Sequence, residues 1–237
     1  MEYISNILFV IALIVGVGFF IRNLKKLSRN IKLGKTVDTS DNKTLRFKNM
    51  ARIALGQTKM VVRPIAGFMH IIVYVGFIII NIEVLEIVID GILGTHRIFA
   101  FLGASYNFLI GAFEILAFLV IIAVVVFWIR RNVIKLKRFI KSEMKGWPKK
   151  DGNLILYIEF VLMFLFLVMN AADFQLQQLG ASHYITAGSY PISQFITPLF
   201  NGFSISSLVI VERTAWWLHI LGIFCLLYTS PSPRDRG

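Results

Sequence analysis

The stretch that decides the fold is residues 64–89, PIAGFMHIIVYVGFIIINIEVLEIVI, a run that contains no lysine or arginine. About 20 consecutive apolar residues are enough for a helix to cross the hydrocarbon core of a bilayer. A proline is also favourable at the first position of a helix, because the N–H that it lacks would have no partner there. Residues 64–89 therefore predict a membrane-spanning helix that begins at Pro64.

Four more apolar runs predict helices of the same kind, and the composition of the chain agrees with them. The runs are residues 3–21, 98–129 and 154–172, and a last one that starts near Ser207. Of the 237 residues, 57% are hydrophobic and 16% are charged, whereas about 25% of the residues of a soluble domain are charged. We therefore predict an all-α integral membrane bundle of about five transmembrane helices.

Basic residues are concentrated in two of the four loops that join these predicted helices. Residues 22–63 contain twelve Lys and Arg and residues 130–150 contain nine, whereas residues 90–97 and 173–206 contain one and none. Because basic loops remain in the cytoplasm, this asymmetry predicts a multi-pass protein of the bacterial inner membrane with its N-terminus outside. The net charge of +12 then follows from topology and from attraction to anionic membrane lipid, and we expect no nucleic-acid partner.

The end of the chain differs in character from the rest. Residues 225–235, CLLYTSPSPRD, resemble one reading frame through a transposase-type sequencing adapter. We therefore expect residues 225–237 to be a non-native tail, and residues 1–224 to be a membrane domain truncated inside its last helix. The native part then contains no cysteine, which excludes an iron–sulfur cluster held by cysteines of this chain.

Polar and small side chains recur at helical spacing in four of the predicted helices. Lipid cannot satisfy the polar groups, so we expect the faces that carry them to converge on the interior of the bundle. The members are His70, Tyr74, Phe77 and Asn81; Gly103, Asn107, Gly111 and Glu114; Glu159, Met163, Phe166 and Asn170; and Glu212, Trp216, His219 and Ile223.

His70 and His219 are the strongest candidates for a chemical role. An imidazole in hydrocarbon needs a partner, which is a hydrogen-bonding group, a metal or a haem iron. A hydrogen bond to a neighbouring helix explains both residues as well as haem ligation does. Haem gains support from glycines that would leave room for a flat macrocycle, at positions 67, 76, 103, 111 and 222. His96 and His183 fall in predicted loops, where we expect interfacial or loop roles.

Three acidic residues follow one another at helical spacing near the outer end of the second helix, namely Glu83, Glu86 and Asp90. A carboxylate at this place can accept a proton from a quinol that is being oxidised. Glu83 and Glu86 are therefore candidate catalytic residues. A helix end that turns into water is the simpler explanation of the same residues.

Two motifs carry a resemblance to a known family. Arg63-Pro64-x-x-Gly67-x-x-His70-x-x-x-Tyr74-x-Gly76-Phe77 opens the second helix, and Arg213-x-x-x-Trp217-x-His219 lies in the fifth. Together with five helices and basic loops, these motifs resemble the nitrate reductase gamma-subunit superfamily. The resemblance is to the N-terminal membrane domains of (Fe-S)-binding oxidoreductases related to the heterodisulfide reductase E and D subunits.

The resemblance implies a cytochrome b-like unit with one or two b-type haems. Such a unit exchanges electrons between the quinone pool and a cytoplasmic iron–sulfur domain or subunit, and His70 and His219 are the implied ligands of haem iron. Measured along the helices, the two histidines would differ in depth by about 12 Å, so we expect them to serve separate haems. The chain would then be the membrane domain of a quinone-linked oxidoreductase and inactive by itself.

Two other functions stay open at this point. One is a haem-free membrane anchor that docks a cytoplasmic redox domain through its basic loops. The other is a small transporter, although no predicted helix is broken midway by paired glycines and prolines in related halves of the chain.

The predicted topology can be tested by the accessibility of single cysteines. In a Cys225→Ser background, we expect a cysteine at Ser189 to react with a membrane-impermeant thiol reagent on intact cells, because its loop is predicted to lie outside. A cysteine at Lys43 should react only after the cells are opened, since that loop is predicted to be cytoplasmic. Labelling of Lys43→Cys on intact cells would reverse the orientation.

Overall fold

A computed structural model describes residues 2–35, 41–58, 60, 63–142 and 145–229 of the chain. The α-helices within them are α1 (Glu2–Lys32), α2 (Lys43–Met50), α3 (Pro64–Leu93), α4 (Ala104–Asn132), α5 (Trp147–Gln178) and α6 (Ile205–Thr229). All except α2 are long and apolar enough to span a membrane, and the described residues contain no β-strand. The predicted all-α bundle with five transmembrane helices is confirmed.

The bundle is built mainly from helices that are neighbours in sequence. α3 packs against α4, α4 against α5 and α5 against α6, while α1 packs against α3 and α6. Aromatic side chains from several helices share the core, among them Phe9, Phe113, Phe166 and Trp216. Loops 94–103 and 179–204 meet at one end of the bundle. We call it the outer end after the predicted topology, and the opposite end, where the basic loops lie, the basic end.

The start of α4 differs from the prediction. This helix begins at Ala104 instead of residue 98, because residues 98–102 form a 3₁₀ turn. The turn is bounded by Arg97 and Gly103, whose φ angles are 53° and 58°. Both angles lie outside the helical region, so they separate the turn from the helices on either side.

α5 and α6 also extend beyond the predicted runs. α5 covers 147–178 instead of 154–172, and its additional outer turn contains Asp173 and Gln177, which are both buried. The helix extends through these polar residues because their side chains bond to residues of the outer loops. Residues 225–229 of the expected non-native tail continue α6, and residues 230–237 lie outside the described residues.

Several of the predicted interior positions are confirmed. Glu114, Asn170, Glu212 and His219 are all buried, and Asn170 donates a hydrogen bond from Nδ2 to Oε1 of Glu114 over 3.1 Å. Glu159 is half-buried. α5 and α6 therefore do turn a polar stripe toward the interior of the bundle, whereas the stripe predicted for α4 is confirmed only at Gly111 and Glu114, because Gly103 and Asn107 are exposed.

The predicted interior face of α3 is wrong. Phe77 is 65% exposed, and Asn81 is exposed as well, with its side chain donating to the carbonyl of Phe77 on the same helix. A Cβ at Gly76 would lie 2.9 Å from Cγ2 of Val120 on α4, so this glycine lets the two helices approach closely. The contact rotates α3 so that its buried face carries Gly67, Gly76, Ile80, Glu83, Glu86, Ile87 and Gly91.

Residues 191–200 descend along the helices instead of crossing above them. The Ser193 hydroxyl donates to the carbonyl of Leu167 (2.9 Å), and the backbone N–H groups of Ile192 and Ser193 donate to Oε2 of Glu114 (2.9 and 3.0 Å). Residue 167 precedes the end of α5 at residue 178 by about 16 Å at 1.5 Å per residue. Non-helical backbone is tolerated at such a depth where protein groups satisfy it, and Glu114 has this structural role.

Candidate functional site

The buried polar side chains of the bundle converge on Arg97 at its outer end. Nε of Arg97 donates to Oδ2 of Asp173 (2.7 Å), Nη1 to the hydroxyl of Tyr106 (3.0 Å) and Nη2 to Oδ1 of Asn170 (3.1 Å). The backbone N–H of the same residue donates to Oδ2 of Asp90 (2.8 Å). One loop residue therefore joins α3, α4 and α5.

The positive charge of Arg97 is compensated by its surroundings. Burial by itself lowers the pKa of Arg97, but the negative charge of Asp173, with smaller electrostatic contributions from Tyr190 and Tyr106, outweighs it, and the pKa lies well above its ordinary value. Nη2 of Arg97 is 2.5 Å from Oδ2 of Asp173. Arg97 is therefore a permanent cation, and Asp173 is its buried counter-ion.

Asp173 accepts further hydrogen bonds at its other oxygen. Oδ1 accepts a hydrogen bond from Nε2 of Gln177 (3.1 Å) and lies 3.2 Å from Nε2 of His96. Nδ1 of His96 accepts the backbone N–H of Ile185 (3.2 Å), which assigns the ring hydrogen to Nε2. His96 lies in a loop, as expected, but its side chain is buried and links loops 94–103 and 179–204.

The two candidate glutamates of α3 differ in their hydrogen bonding. Oε1 of Glu86 accepts the backbone N–H of Phe99 (2.9 Å), and Oε2 accepts the hydroxyl of Tyr106 (2.8 Å). Oε2 of Glu83, in contrast, is buried and has no hydrogen-bond partner among the described residues. Both side chains are only 3% exposed, so neither glutamate lies at a helix end that turns into water.

Glu83 lines a cavity of about 690 Å³ at the outer end of the bundle. α1 supplies one wall through Phe9, α3 supplies Glu83, Glu86 and Asp90, and α6 supplies Arg213 and Trp216. Glu83 precedes the end of α3 at Leu93 by about 15 Å. The cavity therefore extends from the outer loops to the depth of the membrane.

An ion pair and an aromatic ring form the α6 wall of the cavity. Glu212 and Arg213 are paired with each other, and the hydroxyl of Tyr184 donates to Oε2 of Glu212 (3.0 Å). The guanidinium of Arg213 lies 5.2 Å from the ring centroid of Trp216. Trp216 in turn packs on Phe9 at 5.3 Å between centroids. The edge of Trp216 thus borders the cavity beside a charge that is already neutralised, and the Phe9 ring on which it packs is buried.

His183 lines the cavity from the outer loop. Its side chain is exposed and lies in ring contact with His96 and Tyr184. Burial, followed by nearby positive charge, lowers the pKa of His183 below its ordinary value. The imidazole is therefore neutral near pH 7 and able to donate or accept a hydrogen bond.

The structure does not bring His70 and His219 together. His219 is 1% exposed, and its Nδ1 lies 2.9 Å from the carbonyl of Leu162 on α5. His70 is partly buried near the basic end, where its Nε2 lies 3.3 Å from Oε1 of Gln57. Glu83 on α3 and Glu212 on α6 both line the outer cavity, so they mark a common depth on the two helices. Measured along the helices from this depth, His70 lies about 20 Å below Glu83 and His219 about 10 Å below Glu212. The histidines therefore differ in depth by about 10 Å and do not meet one iron.

His219 fits a haem ligand in burial and orientation. Donation from Nδ1 to a carbonyl fixes the ring and leaves Nε2 for iron, which is the usual arrangement of a ligating histidine. The room expected beside the glycines is partly filled, however. A Cβ at Gly222 would lie 2.6 Å from Cδ2 of Leu162, so this glycine holds α5 and α6 in contact. The orientation of His219 thus suits a haem ligand, but the packing at Gly222 fills the space beside it, and His70 lies too far away to be its partner.

Sequence reasoning missed Arg97 and Asp173, although one signal for Arg97 was available. Arg97 is the single Lys or Arg between residues 64 and 129, and it lies in a loop that the charge pattern places outside. A lone cation among acidic and aromatic residues indicates a specific partner. Which residue is the partner of Arg97 depends on the folded path of loop 94–103, and spacing along the chain does not reveal that path.

The contribution of this buried pair to stability can be measured. We expect Arg97→Met to lower the free energy of unfolding in mixed detergent micelles by about 3–5 kcal/mol, because the substitution leaves Asp173 as an unpaired buried charge. The matched control is Arg46→Met. Arg46 pairs with Asp41 at 3.1 Å, but the two side chains are 52% and 70% exposed, so we expect a loss of at most about 1 kcal/mol. Equal losses would contradict the central role of Arg97.

Two curated proteins are similar to this chain over nearly all of its length. The Probable iron-sulfur-binding oxidoreductase FadF of Bacillus subtilis (strain 168) is 25% identical over 230 residues, which cover 97% of this chain and 31% of the relative. The EtfAB:quinone oxidoreductase of Syntrophomonas wolfei is 22% identical over 231 residues, covering 95% of this chain and 31% of the relative. The chain thus spans about a third of the length of these relatives.

No protein-family model matches the chain, and no solved structure matches it. The resemblance to nitrate reductase gamma subunits therefore stays a prediction. The chain is a distant homologue of a probable iron–sulfur-binding oxidoreductase and of a quinone oxidoreductase.

Proposed function

We propose that this chain is a membrane electron-transfer module that exchanges electrons between a quinone and an iron–sulfur domain or subunit through b-type haem. Two features support this function. The relatives that align with almost the whole chain are named as an iron–sulfur-binding oxidoreductase and a quinone oxidoreductase. The five membrane-spanning helices also hold a polar cavity at membrane depth.

The observation that carries the proposal is the outer cavity. A quinone is a flat, apolar ring with two carbonyl oxygens, so its site needs an aromatic surface and a few hydrogen-bonding groups. Trp216 lines the cavity and would supply this surface, with the buried Phe9 packed behind it, and Glu83 and His183 supply groups that are not used up by the fold. A lipophilic ligand can enter from the membrane beside α1, because most of the spanning part of that helix is not covered by other helices.

The iron–sulfur partner would dock at the basic end. Four basic residues of α1 line a groove of about 530 Å³ there, namely Arg22, Lys25, Lys26 and Arg29. Such a surface attracts an acidic protein face through long-range electrostatics. The quinone site and the docking surface then lie at opposite ends of the bundle, so electrons must cross the membrane between them.

A b-type haem would supply the one-electron carrier for this crossing. His219 is the residue of this chain that best fits its axial ligand, since Leu162 fixes the ring and the surrounding helices exclude water. His70 lies closer to the basic end and would serve a second, inner haem.

The haem proposal predicts a spectroscopic result. In the protein purified in mild detergent, we expect a reduced-minus-oxidised spectrum of b-type haem that His219→Ala diminishes strongly. His219→Met should retain haem with a raised reduction potential, because a thioether ligand favours the reduced iron. His183→Ala is the control and should leave the spectrum unchanged. The haem-free anchor would be favoured if the protein contains no haem. It would also be favoured if neither substitution at His219 changes the spectrum or the reduction potential.

A further inference from the structure

Glu83 differs from every other acidic side chain that lines the outer cavity. Asp90, Asp173 and Glu86 each accept two or more hydrogen bonds from the surrounding loops and helices, and Glu212 accepts from Tyr184 and Arg213. Among the acidic side chains that line the cavity, only Glu83 has a buried oxygen, Oε2, without a hydrogen-bond partner among the described residues. The fold therefore provides no hydrogen-bond partner for this oxygen.

The two arginines of the cavity do not supply the missing partner. Arg97 is engaged by Asp173 and Tyr106, and Arg213 is engaged by Glu212. A carboxylate without a hydrogen bond or an unpaired cation costs several kcal/mol to bury. The neutral acid avoids this cost, because it buries no charge that lacks a partner.

We propose that Glu83 carries a proton at rest and donates it to a quinone bound in the outer cavity, whereas Glu86 has a structural role. This inference rests on the proposed quinone site. It also determines whether the site reduces a quinone or oxidises a quinol. A glutamic acid that already holds a proton cannot accept one from a quinol, so the cavity is built for quinone reduction instead of the quinol oxidation that the sequence suggested.

The proposed step balances in atoms and electrons. The quinone receives two electrons, one at a time, from the one-electron carriers that connect it to the iron–sulfur partner. The O–H bond of Glu83 breaks as a new O–H bond forms at one quinone oxygen. The resulting carboxylate is an uncompensated buried anion and takes a proton from water at the outer opening, beside the exposed His183. The second quinone oxygen receives its proton from water by the same route, and the quinol leaves.

Infrared spectroscopy tests this inference on the whole chain in lipid bilayers, without turnover. At pH 7 we expect a carbonyl band of a protonated carboxyl group that is present in the wild type and in Glu86→Gln but absent in Glu83→Gln. Glu86→Gln is the matched control, because it lies one turn away on α3 and its amide can still bond Tyr106 or Phe99. Added decylubiquinone should shift the Glu83 band, since the acid then donates a hydrogen bond to a quinone carbonyl.

Each other outcome overturns a defined part of the account. Loss of the band in Glu86→Gln instead of Glu83→Gln, or no difference between the variants, would overturn the assignment of the proton. Binding of decylubiquinone can be measured by tryptophan fluorescence quenching. If it binds but the band does not shift, the donor role of Glu83 is overturned while the quinone site stands. Failure of decylubiquinone to bind the wild type would overturn the quinone site itself and the donor role with it.

Discussion

The salt bridge between Arg97 and Asp173 is the interaction on which the outer half of the structure depends. Both side chains are buried, and a charged pair in such a place is tolerated only where its remaining hydrogen-bonding groups are satisfied. Tyr106 and Asn170 do this for Arg97. Because the four residues belong to loop 94–103, α4 and α5, their bonds fix the loop against the helices and thereby form the outer wall of the cavity.

This arrangement explains why one acid of the cavity stays without a partner. The cation of loop 94–103 is committed to Asp173, and the cation of α6 is committed to Glu212. Glu86 is satisfied by Tyr106 and the start of the 3₁₀ turn. Glu83 remains, and it lines the outer cavity. In this account, the groups that stabilise the fold and the groups left for chemistry occupy adjacent positions on one helix.

The sequence was sufficient to predict the helices and most of their interior faces, because hydrophobic length and helical spacing are local properties. It failed for α3, where the contact between Gly76 and Val120 sets the rotation of the helix. It could not separate Glu83 from Glu86 either. Their spacing places both on one side of α3, but the donors that distinguish them come from residues 99 and 106, beyond the end of that helix. The partner of Arg97 was hidden for the same reason.

The central claim is that the outer cavity binds a quinone, and photoaffinity labelling tests it most directly. The protein would be illuminated in lipid bilayers with an azido-substituted quinone, and the modified peptides would be identified by mass spectrometry. The account predicts labelling within residues 83–97 or 212–216 that excess decylubiquinone suppresses. Labelling confined to the basic end, or labelling of the outer end that decylubiquinone does not suppress, would contradict it.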